Sequence, residues 1–156
     1  MTKPHQRREY KAPFIATDLI IEYADSSKEG IVLITRKNPP YGLALPGGFL
    51  EYDLSPGQNV QKEGKEETNL EVRVENEDAP FLVRGDPQRD PRARILSLVY
   101  IVQGTGILRA GDDAATASLY SMDEVQALLG QQKFAFDHED ILRSYLQQKA
   151  QKGCSA

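Results

Sequence analysis

The sequence predicts an α/β fold. Three observations carry that expectation: apolar, β-branched runs at 14–23, 31–37 and 95–104, a helical segment from Ser55 to about Thr68, and a second amphipathic pattern after Asp137. Mixed strands with one central helix and later flanking helices imply an α/β sandwich. A length of 156 residues suits one domain, 1–156, with short polar tails at both ends.

The elements follow in order. FIATDLIIEY (14–23) reads as a strand, ADSSKEG as a turn and IVLITRK (31–37) as a second strand. NPPYG is a rigid loop, because paired prolines restrict the backbone on both sides. LALPGGFLEY (43–52) holds a short strand that breaks at Pro46-Gly47-Gly48. Ser55 followed by Pro56 is an N-cap with proline at the first helical position, and Asn69 is suited to ending the helix in the left-handed conformation. LEVRVEN is a strand, RGDPQRDPRAR a loop and ILSLVYIVQG (95–104) a strong strand. SLYSMDEVQALLG predicts a short strand and then a helix opened by Ser121, with Glu124 at capping-box spacing. Asp137 starts the last helix as its N-cap; Ile141, Leu142 and Tyr145 form its apolar stripe, and His138 is expected to be exposed near its start.

Composition excludes several classes. A formal charge of -4 argues against a nucleic-acid backbone as partner. No run approaches the roughly 20 apolar residues that span a bilayer, and none follows the basic start as a signal-peptide core. The single Cys154 lies in a polar tail and cannot form an internal disulfide, so a cytoplasmic location is the default expectation.

The most informative segment is KEGKEETNL (62–70). Glu63, Glu66 and Glu67 stand at i, i+3 and i+4, which share one helix face at about 3.6 residues per turn. Like charges at that spacing repel. Either the face is solvated, with Lys62 and Lys65 neutralising part of the charge, or a hard divalent cation compensates. Just upstream, Gly47 and Gly48 let the main chain approach a ligand closely, so that a carbonyl there could complete a metal site.

Together the glycine bend and the glutamate helix resemble the Nudix box. That pattern runs from a Gly, through a Glu six positions on, to Arg-Glu-apolar-any-Glu-Glu-any-Gly-apolar. Here it covers Gly48 to Leu70, with Glu63, Glu66 and Glu67 on the three helical Glu positions and Leu45-Pro46-Gly47 as the entry. The sequence departs from it at Leu54 for the early Glu, Lys62 for Arg, Gly64 for the apolar residue and Asn69 for Gly. Lys62 lacks the planar fork of guanidinium, and Gly64 weakens a helix interior by about 1 kcal/mol relative to Ala.

The resemblance implies a Nudix-like α/β/α sandwich with a mixed sheet and a pyrophosphohydrolase using Mg²⁺ or Mn²⁺. By resemblance the metal ligands are Glu63, Glu67 and the Gly47 carbonyl, with Glu66 a ligand or a partner behind the ligands. The general base is Glu63 or an acidic loop residue, for which Asp112 and Asp113 are candidates; both also fit an exposed acidic turn. RKNPPYG, DPQRDPR, AGDDA and FDHEDIL, in that order, are similar to the ADP-ribose pyrophosphatase group of the family. The substrate implied is a small nucleotide, ADP-ribose, cut to AMP and ribose 5-phosphate. Arg89 and Arg92 could hold phosphate or ribose oxygens, or pair with the aspartates of their own turn. Tyr41 could stack on a base or pack its proline loop, and Phe134 and Phe136 could cover the site or fill core. Nucleoside triphosphate hydrolysis and a non-enzymatic nucleotide-sugar sensor, suggested by Leu54 and Lys62, remain as alternatives. A homodimer is the expectation by analogy with similar enzymes.

Overall fold

The computed structural model describes residues 11–111 and 114–155. One mixed sheet forms the middle layer, built from β1 (Phe14–Ala24), β2 (Glu29–Arg36), β3 (Leu43–Ala44), β4 (Gly47–Phe49), β5 (Glu71–Arg73), β6 (Leu82–Arg84), β7 (Ile95–Thr105) and β8 (Ala114–Tyr120). The helices are α1 (Pro56–Thr68), α2 (Met122–Leu128) and α3 (His138–Gly153). The central path runs β3-β2-β1-β7-β5; β4 also pairs with β1, β6 with β7 and β8 with β2. The β1–β7 pairing is parallel and the others are antiparallel.

Alternation along the strands divides the core into two layers. Leu19 and Ile21 of β1 join Val32, Tyr100 and Val102 in a cluster with Val60 of α1. Ile20, between them, faces the other way and joins Ile31, Leu33 and Val99 with Val125 of α2 and Ile141, Leu142 and Tyr145 of α3. The expected α/β/α sandwich is therefore present.

The helix signals work as expected. Ser55 and Gln58 form a reciprocal capping box, Pro56 stands at the start, and Asn69 ends α1 with φ of 61°. Ser121 and Glu124 cap α2 in the same way. Gly64 has a packing reason: a Cβ there would lie 2.6 Å from Cγ2 of Val72, so α1 presses directly on β5.

Three expectations need correction. The strand expected across 70–76 is only three residues long, and β6 was not foreseen. Asp137 occupies the N-cap position but makes no side-chain cap bond; its carboxylate goes to two arginines instead. His138 is not exposed: only 2% of it meets solvent. Among the described residues no helix is long and apolar enough to cross a membrane.

Candidate active site

The glycine bend and α1 meet. The Gly47 N–H donates to Oε2 of Glu67 at 2.7 Å, and Glu67 is buried. A Cβ on Gly48 would lie 2.7 Å from the carboxylate carbon and both oxygens of Glu63, so a larger residue there would push that carboxylate from its place. A Cβ on Gly47 would lie 2.2 Å from the Thr17 carbonyl. The bend is fixed from outside as well: Leu19 N–H donates to the Pro46 carbonyl at 2.8 Å, and Leu45 N–H donates to Nδ1 of His138 at 2.9 Å.

Glu66 stands apart from this pair. Its side chain is 55% exposed and its carboxylate meets Lys62 Nζ at 2.6 Å. The same ammonium lies 3.1 Å from Glu51 and 3.5 Å from Glu63. The Glu66 hydrogen bond leads the causes that hold the Lys62 ammonium well above its ordinary pKa. Burial pushes the Glu63 carboxyl above its ordinary value, and repulsion from Glu66 and Glu51 adds to that against the pull of Lys62.

Beside the bend lies a cleft lined by Asp18, Arg36, Phe49, Arg92 and Phe136. Arg89 forms its buried wall, donating to Asp137 Oδ1 at 2.6 Å and to Asp18 Oδ2 at 3.4 Å. Arg84 takes the other Asp137 oxygen at 2.8 Å. Ser97 donates to Asp18 at 2.5 Å, and Nε2 of His138 stands 3.5 Å from it. Burial alone would raise the Asp18 carboxyl; His138, Ser97 and Arg89 outweigh it and hold the group below its usual range. Asp137 is likewise held low, because the bonds from Arg89 and Arg84 outweigh the effect of burial.

The structure thus brings Gly47, Glu63 and Glu67 together and puts Arg89 and Arg92 at the neighbouring cleft. The turn pairing foreseen for the RDPR segment is present in Arg92, which grips both Asp90 oxygens at 3.0 and 2.8 Å. Arg89 instead reaches outside its turn to Asp137 and Asp18. Tyr41 is 69% exposed and does not line the cleft. Phe134 packs on the core, whereas Phe136 reaches the cleft. Asp112 and Asp113 lie outside the described residues. The preceding loop is tied to the end of α1, with Arg109 N–H on the Thr68 carbonyl and Gly111 N–H on the Glu67 carbonyl, each at 3.0 Å.

Sequence reasoning missed Asp18, Arg36 and Asn59. Asn59 is fully buried; its Nδ2 donates to Thr17 Oγ1 at 2.9 Å and its Oδ1 accepts from Glu51 N–H at 3.2 Å. A lone Asp inside an apolar strand and an Asn inside a helix were the available signals, since neither is expected in a core without a task.

Among the described residues, no three His, Cys, Asp or Glu side chains converge as a ready metal cage. A Mg²⁺-type site does not need one. Such ions keep several waters and take one or two carboxylates beside substrate phosphates. The paired carboxylates against a glycine bend supply the hard oxygen donors that this requires.

Comparisons with known proteins identify the family. The NUDIX domain family model matches residues 14–145. A protein named ADP-ribose pyrophosphatase from Methanocaldococcus jannaschii is 39% identical over 145 residues, which span 91% of this chain and 78% of that protein. A MutT/nudix family protein from Enterococcus faecalis superposes with a TM-score of 0.71 at 27% identity, covering 90% of this chain and 63% of that one. The NUDIX domain of Shewanella oneidensis NrtR, solved in complex with ADP ribose, shares the fold with a TM-score of 0.72 at 19% identity, covering 93% and 94%. With the family pattern matched over most of its length and a relative at this level of identity, the chain belongs to the Nudix family.

Proposed function

We propose that this Nudix protein is a divalent-metal-dependent pyrophosphohydrolase that cleaves ADP-ribose to AMP and ribose 5-phosphate. The observation that carries the reading is the meeting of Glu63 and Glu67 with the Gly47-Gly48 bend, at the edge of a cleft lined with arginine. The name of the Methanocaldococcus jannaschii relative supports the choice of substrate.

Glu67, Glu63 and the Gly47 carbonyl would hold Mg²⁺ or Mn²⁺. When bound, the ion supplies charge neutralisation at the diphosphate and a water of lowered pKa. The chain's own residues do the rest. Arg92, on the exposed side of the cleft, offers charged donors to phosphate or ribose oxygens, and Arg89 supports the wall behind it. Glu63, whose carboxylate stands against Gly48, is placed to take the proton of the attacking water through an oxygen not engaged with the ion. Water adds to one phosphorus, the bond from that phosphorus to the bridging oxygen breaks, and that oxygen leaves on the other phosphate. Asp112 and Asp113, which lie outside the described residues, are the alternative proton acceptors. A homodimer is carried over by analogy alone, and the mass in solution tests it.

The test is AMP release from ADP-ribose with Mg²⁺ or Mn²⁺, with chelator, and with Glu67→Gln. The reading requires AMP from the wild type only, and only with metal. Pyrophosphate release from nucleoside triphosphates at a higher kcat/KM would move the substrate class. Binding of ADP-ribose without turnover by wild type and variant alike would make the protein a sensor.

A further inference from the structure

Arg36, at the end of β2, lines the same cleft and is half-buried. Its Nε donates to the Pro40 carbonyl at 2.7 Å and its Nη2 to the Pro39 carbonyl at 3.5 Å. No carboxylate pairs with it among the described residues, whereas Arg89 and Arg92 both have acidic partners. Its guanidinium lies 4.7 Å from the centre of the Phe136 ring, and that of Arg92 lies 4.9 Å from the same centre. Burial and the neighbouring Arg92 draw Arg36 below its ordinary pKa. Two cations against one ring, one of them with no ion-pair partner among the described residues and feeling only the longer-range pull of Glu67, Asp90 and Asp18, form an arrangement that an anion would relieve.

We propose that Arg36 is the oxyanion-binding residue of the cleft: braced on Phe136 beside Arg92, it presents its Nη1 edge, which makes no hydrogen bond among the described residues, to a phosphate oxygen of the substrate's diphosphate. The proline carbonyls hold Nε and one Nη2 direction, so the fork is set before ligand arrives and little side-chain entropy is lost on binding. This rests on the reading of the cleft as a diphosphate site, and adds which side chain selects the charged centre of the ligand.

The experiment titrates metal-free full-length protein with ADP-ribose and with inorganic pyrophosphate, and measures KM and kcat in the presence of metal. Arg36→Met should weaken both metal-free affinities about tenfold or more, as loss of a charge-assisted hydrogen bond predicts. KM should rise more than kcat falls. Arg36→Lys, which keeps charge without the fork, should fall between. Arg73→Met, the same charge change in exposed β5 and away from this cleft, should leave both affinities unchanged. Thermal melts identify folded variants. Unchanged affinities in Arg36→Met, or an equal loss in Arg73→Met, would overturn the proposal and leave Arg36 as a brace for the proline loop. A wild type that ignores ADP-ribose but binds pyrophosphate through Arg36 would sink the substrate assignment and uphold the oxyanion site.

Discussion

The main-chain N–H of Gly47 donates to the carboxylate of Glu67 at 2.7 Å, joining a strand end to a helix residue twenty positions on. That bond holds the carboxylate at the bend where Glu63 also sits. Glu67→Gln should therefore lower kcat by about 100-fold or more, as loss of a ligand exceeds the 10- to 100-fold typical of groups behind it. Glu63→Gln should be similarly damaging. Glu66→Gln, which removes one exposed ion pair, should cost less than about fivefold. Asp137→Ala should lie between these. Steady-state ADP-ribose hydrolysis checks the ranking, and equal losses at Glu66 and Glu67 would contradict it.

Gly64→Ala tests two opposed effects. Helix propensity favours Ala by about 1 kcal/mol. Against that, the new methyl would stand 2.6 Å from Val72 in a packed layer, and overpacking costs about 1–3 kcal/mol. The expected result in denaturant unfolding is a net loss of stability. A gain would mean that α1 can lift off β5 freely.

His138 accepts the Leu45 N–H within the core. Removing the acceptor strands a buried donor, which costs about 1–3 kcal/mol. His138→Ala should lose stability on this scale. His138→Asn, whose side-chain oxygen can take the place of Nδ1, should recover more of it than His138→Gln. Identical melting of all three variants would show that the bond is dispensable.

Acid should act through the carboxylates of the arginine network. Asp137 has a folded pKa below its ordinary 3.8. Its contribution to stability is therefore complete above 3.8 and is lost as pH falls through the lower, folded value. Asp137→Asn should flatten the pH dependence of unfolding below 3.8 and lower stability near neutrality. Proton uptake on unfolding in that window should fall correspondingly.

The fold and the carboxylate helix were legible because their signals are local. Caps at Ser55 and Ser121, the stop at Asn69 and the apolar, β-branched run of β1 are properties of neighbouring residues. The cleft was less legible because it is assembled from distant ones. Nothing near Asp18 in sequence announces Arg89 or His138, and nothing near Arg36 announces Phe136. Asp137 was read as a helix cap because a cap needs only adjacent residues, whereas its real partners are Arg84 and Arg89. The strand β6 was hidden by its brevity; it exists through pairing with β7 rather than through any pattern of its own.

Leu43 exchanges main-chain hydrogen bonds with the segment before α3, donating to Lys133 and accepting from Ala135, each at 2.8 Å. The wall carrying Phe136 and His138 is thus stitched to a strand some ninety residues earlier. During synthesis the glutamate helix can emerge and cap itself long before this seam closes. A nascent chain halted near residue 130 would hold the whole box and still lack the wall that completes the cleft, so competence waits for the segment around Lys133 to His138.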